Sequence, residues 1–167
     1  MSIQNQLQLM ARYNQWMNEK LYASCALLSD EQRKQDMGAF FGSIHNTLNH
    51  IMFGDHAWMA RFRQQKAPYS LGEEIHADFE QLRHERVQLD AQIIDWTQKL
   101  STSWLNSDIL YTSRIDSKTR SIAAWVLVTH MFNHQTHHRG QLTTLLSQLD
   151  QDYGTTDIPW MPEFNNF

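Results

Sequence analysis

The chain has 167 residues, 41% of them hydrophobic and 11% aromatic, with a formal net charge of −4. That composition predicts one folded domain over 1–167 and excludes a disordered chain, and no apolar run approaches the ~18 residues that a membrane helix needs. The acidic balance argues against nucleic acid as a partner, because there is no basic excess to grip a phosphate backbone. Cys25 is the single cysteine, so no internal disulfide framework is available. With no basic and apolar leader in Met1–Gln6, the expectation is a cytoplasmic protein. Three prolines and six glycines, most of them outside the apolar-periodic stretches, predict an all-α chain.

The first helix is predicted from about Ile3 to Leu28. Ile3, Leu7, Met10, Met17 and Leu21 recur at steps of three, four and seven and mark its buried stripe. Asn14 interrupts that stripe, either to fix packing register, the preferred reading, or to face a polar site. Ser29-Asp30-Glu31 reads as a stop and a fresh start, leading through a loop or short turn to Gly42. A second helix begins near Ser43 as N-cap. It carries His45, His50 and His56, which point in three different directions around its axis, so it can give one ligand at most to a shared site. His50 lies among Leu48, Ile51, Phe53 and Gly54, where a core histidine and a ligand are both reasonable readings.

Ser70-Leu71-Gly72-Glu73 matches a capping box and places the start of a third helix that runs to about Leu100. Its charged face, with Glu73, Glu74, Glu80, Arg83, Glu85 and Arg86, reads as solvated, with His76 and His84 exposed beside it. Ser101 to Arg120 breaks the helical pattern. The β-prone stretch Ile109–Ile115 and the turn-prone Asp116-Ser117-Lys118 predict a long crossover with a small hairpin. The fourth helix is predicted from Ser121 to Leu149, with Gly140 kept for close approach of a neighbouring helix. The tail, Asp157 to Phe164, holds two prolines and cannot be helical throughout. Its Trp and Phe suggest docking on the helices or on a second subunit.

The chemistry is concentrated in the fourth helix, in His130-Met131-Phe132-Asn133-His134-Gln135-Thr136-His137-His138-Arg139-Gly140-Gln141. A helix advances about 100° per residue, so His134 and His138 stand about 40° apart on one face, one turn along. Two such imidazoles can reach one metal ion. His130 and His134 have the same spacing, and the spacing does not choose between the pairs. Gln135 stands where the helical metalloprotease motif needs a glutamate, which removes its general base. A di-iron carboxylate site is also disfavoured, because no Glu-x-x-His pair faces the histidines.

Taken together, Tyr13-Asn14-Gln15-Trp16-Met17-Asn18, His45-Asn46-Thr47-Leu48-Asn49-His50-Ile51 with Gly54-Asp55-His56-Ala57-Trp58, and Phe132 to Gln141 resemble the DinB (DinB/YfiT-like) family. The tail Thr156-Asp157-Ile158-Pro159-Trp160 extends the resemblance, which covers essentially the whole chain in order. It implies an up-down-down-up four-helix bundle with a long crossover before the last helix, commonly a homodimer. It also implies one divalent metal ion on three histidines, which map here to His50, His134 and His138. His130 and His137 then lie outside the ligand set, and Arg139 is either an ordinary surface arginine or an anion anchor at the site mouth.

Three neutral imidazoles leave the ion's charge uncompensated and a coordination position open, the pattern of catalytic rather than structural zinc. Such an ion lowers the pKa of water to around 7 or stabilises a thiolate. The resemblance implies low-molecular-weight thiols as cosubstrates. The expectation is therefore a metal-dependent enzyme for a small-molecule substrate, a thiol S-transferase or a hydrolase, with zinc or nickel favoured. The competing expectation is a non-catalytic metal- or ligand-binding stress-response protein. A deep cavity beside the triad would favour catalysis, whereas a site sealed by Trp160 or a fourth ligand would favour binding.

Overall fold

The computed structural model describes residues 2–70, 72–113 and 116–165. It is mostly helical, with a two-stranded sheet: α1 (Ile3–Ala26), α2 (Asp30–Lys34), α3 (Ile44–Phe62), α4 (Phe79–Gln98), α5 (Thr102–Leu105), β1 (Asp108–Thr112), β2 (Thr119–Ala123) and α6 (Ala124–Gln148). Among the described residues, no helix is long and apolar enough to cross a membrane.

Local chemistry sets most boundaries. Ser2 caps α1, accepting a bond from the Asn5 amide. Ser29 and Gln32 form a reciprocal capping box that starts α2, so the predicted stop and restart at 29–31 is real. Ser43 caps α3 as expected, its hydroxyl accepting from the Asn46 amide at 3.1 Å.

The start of the third long helix is corrected. Asp78, not Ser70, is the N-cap of α4. Half of the expected box exists, since the Ser70 amide donates to Glu73 Oε2 at 2.7 Å. However, Gly72 sits at φ +81, where a right-handed helix cannot continue. Leu71, within that motif, lies outside the described residues. Asn49 of α3 then holds the chain off helix by accepting the Ile75 and His76 amides at 2.9 and 3.1 Å.

The crossover contains the predicted hairpin, with β1 antiparallel to β2 and Ile109 opposite Ile122. Arg114 and Ile115, the end of the β-prone stretch, lie outside the described residues. Pairing through Ala123 delays α6 by three residues from its expected start at Ser121.

The long helices pack α1 on α4 and α6, and α3 on α6 and α4. Their inward faces form one apolar cluster, in which Leu7, Met17, Leu48, Leu82, Ile93 and Leu146 are all buried. Each such side chain contributes about 1.5–3 kcal/mol on burial. Cys25 is in this cluster, and burial pushes its thiol up to about 12, against the pull of the Arg33 charge.

A set of polar groups passes through the same interior and joins all four long helices. Arg86 of α4 lies 2.6 Å from Asp55 of α3 and 2.8 Å from Asp90, one turn along its own helix. Asn14 and Asn18 of α1 donate to Asp90 at 3.2 and 3.0 Å. Arg139 of α6 donates to Asn14 Oδ1, with its guanidinium 5.4 Å from the Tyr13 ring centre. Two arginines and two aspartates thus balance in charge. Burial pushes Asp55 above the usual carboxylate range and draws Arg139 down to about 10. For Arg86, Asp90 and Asp55 more than offset the cost of burial and hold it above its ordinary value.

This arrangement overturns two expectations and adds to a third. Arg86 is 2% exposed, not part of a solvated face. Arg139 is 3% exposed, neither a surface arginine nor an anchor at the site mouth. Asn14 bridges two buried charges, so it does more than set register. The tail docks on α1 through Tyr13 Oη donating to the Thr156 carbonyl at 2.8 Å and through an Arg12–Glu163 ion pair, and its Met161 is buried in the apolar cluster. Trp160 and Phe164 remain exposed.

Candidate metal centre

Helix α3 presents His50 and helix α6 presents His134 and His138, one turn apart. Their three Nε2 atoms converge: His50 to His134 is 3.3 Å, His50 to His138 is 3.2 Å, and His134 to His138 is 3.1 Å. Donors held about 2.0–2.1 Å from a common ion in a tetrahedral array stand about 3.3 Å apart. The triangle is therefore of the size an ion requires. Among the described residues, it is the one group of three or more His, Cys, Asp or Glu side chains with donor atoms within 4.8 Å of one another.

The protonation states suit the same purpose. Burial, and then the His138 charge, draw His50 down from 6.5 to about 4. Burial, followed by His138 and His50, draws His134 down to about 3. His138 is lowered by burial too, although its bond to Gln141 pulls the other way. All three are neutral at pH 7 and offer a nitrogen lone pair. His138 Nδ1 lies 2.8 Å from Gln141 Oε1, a bond that places the ring proton on Nδ1 and leaves Nε2 free to ligate.

Two neighbours shape the centre without carrying a donor. Gly54 lies one turn beyond His50 on α3, and a Cβ built there would stand 2.7 Å from Cε1 of His134. Residue 54 must therefore lack a side chain for the His134 ring to occupy its place. Close approach thus belongs to Gly54 and not to Gly140, which is exposed with no such neighbour within 4 Å. Phe41 stacks on His50 with ring centres 3.9 Å apart and meets His138 edge-on at 5.4 Å. It is presented by a tight turn in which Ala39 bridges Gly42, at φ +78. The aromatic identity of residue 41 was the one signal in a stretch that otherwise reads as loop.

The remaining histidines are placed elsewhere. His45 is buried, with Nε2 donating to the His76 carbonyl at 2.9 Å. His130 and His137 are exposed at the edges of the triad, with ring centres 6.1 Å from His134 and 4.8 Å from His138. His84 is exposed as expected. His76 is not: it shares Glu85 with His56, each Nε2 within 2.6 Å of a different carboxylate oxygen, and Tyr69 Oη donates to the same group. Burial works to raise Glu85, but the bonds from His76 and Tyr69 hold it below the usual range. Glu85 is thus a linked, half-buried carboxylate and no solvated charge.

Two cavities meet at the triad, with His50 and Phe53 in the walls of both. The larger, about 600 Å³, reaches His138 and is lined by Phe40, Phe41, Glu73 and Glu74. The smaller, about 440 Å³, reaches His134 and is lined by Trp58, Arg61, Tyr111, Asp116, Arg120 and His130. Glu73 and Glu74 are the carboxylates of the larger cavity, a placement the sequence alone did not reveal. Gln135 is wholly buried and lines neither cavity. Trp160 lines neither and seals nothing at the triad.

A helical protein with three converging neutral imidazoles on two packed helices defines a class, that of proteins able to hold a metal ion between helices. The particular family follows from sequence comparison: the DinB family profile matches residues 1–165, and the chain belongs to that family. It is also similar to "Protein DinB" of Bacillus subtilis (strain 168), at 25% identity over 157 residues that cover 87% of each chain.

Proposed function

We propose that the protein is a metal-dependent enzyme in which His50, His134 and His138 hold one divalent ion, zinc or nickel. The reaction class we assign is transfer to or from a low-molecular-weight thiol, or hydrolysis, on a small-molecule substrate. The carrying observation is the convergence of three Nε2 atoms within 3.1–3.3 Å at the meeting of two cavities. When bound, a divalent ion supplies Lewis acidity that activates water or a thiol at neutral pH. The chain's own residues do the positioning. Gln141 fixes the His138 tautomer, Gly54 makes room for His134, and Phe41 covers one side of His50 and shields it from water.

We place this site in a single four-helix bundle of up-down-down-up order, assembled as a homodimer. The competing reading is a non-catalytic metal-binding protein. Two cavities at the triad and an outlying Trp160 favour catalysis. Elemental mass spectrometry on tag-free protein and on His138→Ala tests the centre. The expected result is about one ion per chain in the wild type and its loss in the variant. Loaded protein is then assayed against thiol-conjugation and hydrolysis panels. No metal in either protein after reconstitution with zinc or nickel sinks the reading, and bound metal without turnover on any panel shifts it to the non-catalytic one.

A further inference from the structure

The larger of the two cavities at the triad is walled by aromatic rings and carboxylates. Phe40 and Phe41 stand with ring planes 82° apart and centres 4.8 Å apart, a right-angled aromatic corner, and Phe53 lines the same space. Phe40 is 85% exposed, so its ring is open to a ligand and not spent on the core. Glu73 and Glu74 supply the charge, and among the described residues no lysine or arginine lines this cavity. Backbone bonds set their positions: Gly72 turns the chain at φ +81, and Asn49 then accepts the Ile75 and His76 amides. Glu73 accepts from the neutral Ser70 amide at 2.7 Å. Glu74 Oε1 lies 3.4 Å from His45 Nε2, but the one proton on that nitrogen goes to the His76 carbonyl at 2.9 Å. The amide nitrogens of Asn46 and Asn49, which also line the cavity, bond backbone carbonyls. The wall thus offers carboxylate oxygens and ring surfaces, beside His50 and His138.

From this juxtaposition we propose that the Phe40–Glu74 cavity is a cation-binding subsite, which takes an alkylated ammonium group on a small molecule whose other end reaches the three-histidine centre. The inference rests on reading that centre as metal-binding, and it adds the charge class of the ligand. An alkylated ammonium is attracted to the negative faces of aromatic rings, and its methyl or methylene groups pack against them. Carboxylates beside the rings add Coulomb attraction at a surface where charges are screened less than in bulk water. A strongly hydrated inorganic cation would gain little from the rings, and an anion would be repelled by both glutamates. The volume of about 600 Å³ is ample for such a ligand. Glu74 and Phe40 are accordingly specificity-determining residues.

Calorimetric titration of the zinc-loaded protein tests this with thiocholine beside 3,3-dimethylbutane-1-thiol, in which carbon replaces the charged nitrogen, and with the pair one methylene longer. The quaternary nitrogen cannot ligate zinc, so a preference for it reports on the wall. Comparing the cation-to-isostere ratio between variants cancels the intrinsic difference in acidity between the two thiols. The wild-type ratio is expected to fall about threefold or more in Glu74→Gln, which removes a charge, and in Phe40→Leu, which removes the ring but keeps apolar bulk. Both residues are exposed, so neither change threatens the fold. Glu80→Gln, at an exposed carboxylate of α4 that lines neither cavity, should keep the ratio. All three variants should bind zinc as the wild type does. A ratio unchanged in either Glu74→Gln or Phe40→Leu, or an equal fall in Glu80→Gln, overturns the subsite and leaves the metal centre standing. Failure of the zinc-loaded protein to bind either cationic thiol does the same. A chain that takes up no zinc overturns both.

Discussion

A methyl group on residue 54 would meet Cε1 of His134 at 2.7 Å and Nδ1 at 3.1 Å, so Gly54→Ala must displace the imidazole. Alanine also gains about 1 kcal/mol of helix propensity over glycine, which offsets part of the steric cost to the metal-free fold. The expected outcome is a split: zinc affinity falls about tenfold or more in a competition titration, as for disturbed neighbours of ligands, while the metal-free melt moves little. A parallel loss of both would assign Gly54 to packing alone. Protonation acts on the same atoms. With His50 drawn down to about 4 and His134 to about 3, protons compete for their nitrogens only in acid. Zinc affinity should therefore stay flat down through about pH 6.5, the ordinary histidine value, and fall only on further acidification, as the lowered values of the folded histidines are approached. Between that value and the folded ones the unfolded chain binds more protons than the folded chain, so acidification also favours unfolding of the metal-free protein. Asp55, raised by burial, acts in the opposite sense between about pH 4 and its folded value. The histidine contribution is therefore read as the difference between wild type and His134→Ala.

The four long helices are tied by the Asn14–Asp90–Arg86–Asp55 contacts and by Arg139, and the tie bears on the metal centre through its position. Asp55 follows Gly54 and Arg139 follows His138, so the buried charges fix the rotation of both ligand-bearing helices. Arg86→Met strands two carboxylates in the interior and should cost about 3–5 kcal/mol in urea unfolding, whereas Arg83→Met on the same helix should stay within about 0.5 kcal/mol. Equal effects would remove the special role of Arg86. The contrast explains what the sequence could and could not convey. His134 and His138 were legible because a helical repeat alone sets their face. The restart at Ser29 and the cap at Ser43 were legible because they depend on neighbours in the chain. Arg86 sits among Glu85, Arg83 and Glu80 and reads as solvent-facing, since Asp55 and Asn14 reach it from other helices. The visible clue was the polar pair Asn14 and Asn18 on an otherwise apolar stripe. Gly54 and Phe41 were illegible as site residues for the same reason: their meaning is a contact made across the fold. Choosing His134/His138 over His130/His134 needed the family resemblance and not the spacing.

At the scale of the whole molecule, an ion between α3 and α6 would join the second and the last of the long helices and so report on global stability. A ligand present at a hundredfold its dissociation constant stabilises the folded state by about 2.7 kcal/mol, roughly 5–10 °C in melting temperature for a chain of this size. Chelation should lower the melt by that amount in the wild type and by none in His138→Ala. An unchanged wild-type melt after verified metal removal would show that the ion does not couple to folding. The single apolar cluster beneath the site gives the reason for expecting one cooperative transition in that experiment.

The burial of Cys25 has a further consequence. The protein's one thiol is raised to about 12, so at neutral pH almost none of it is thiolate, and the side chain is closed off from solvent. The fold is therefore silent towards electrophiles, disulfides and alkylating reagents as long as it stays folded. Any thiol consumed in its presence is counted against the added small molecule, without a background from the polypeptide. In a cell under oxidative load, such a protein could work beside reactive thiols and disulfides without being trapped in them itself.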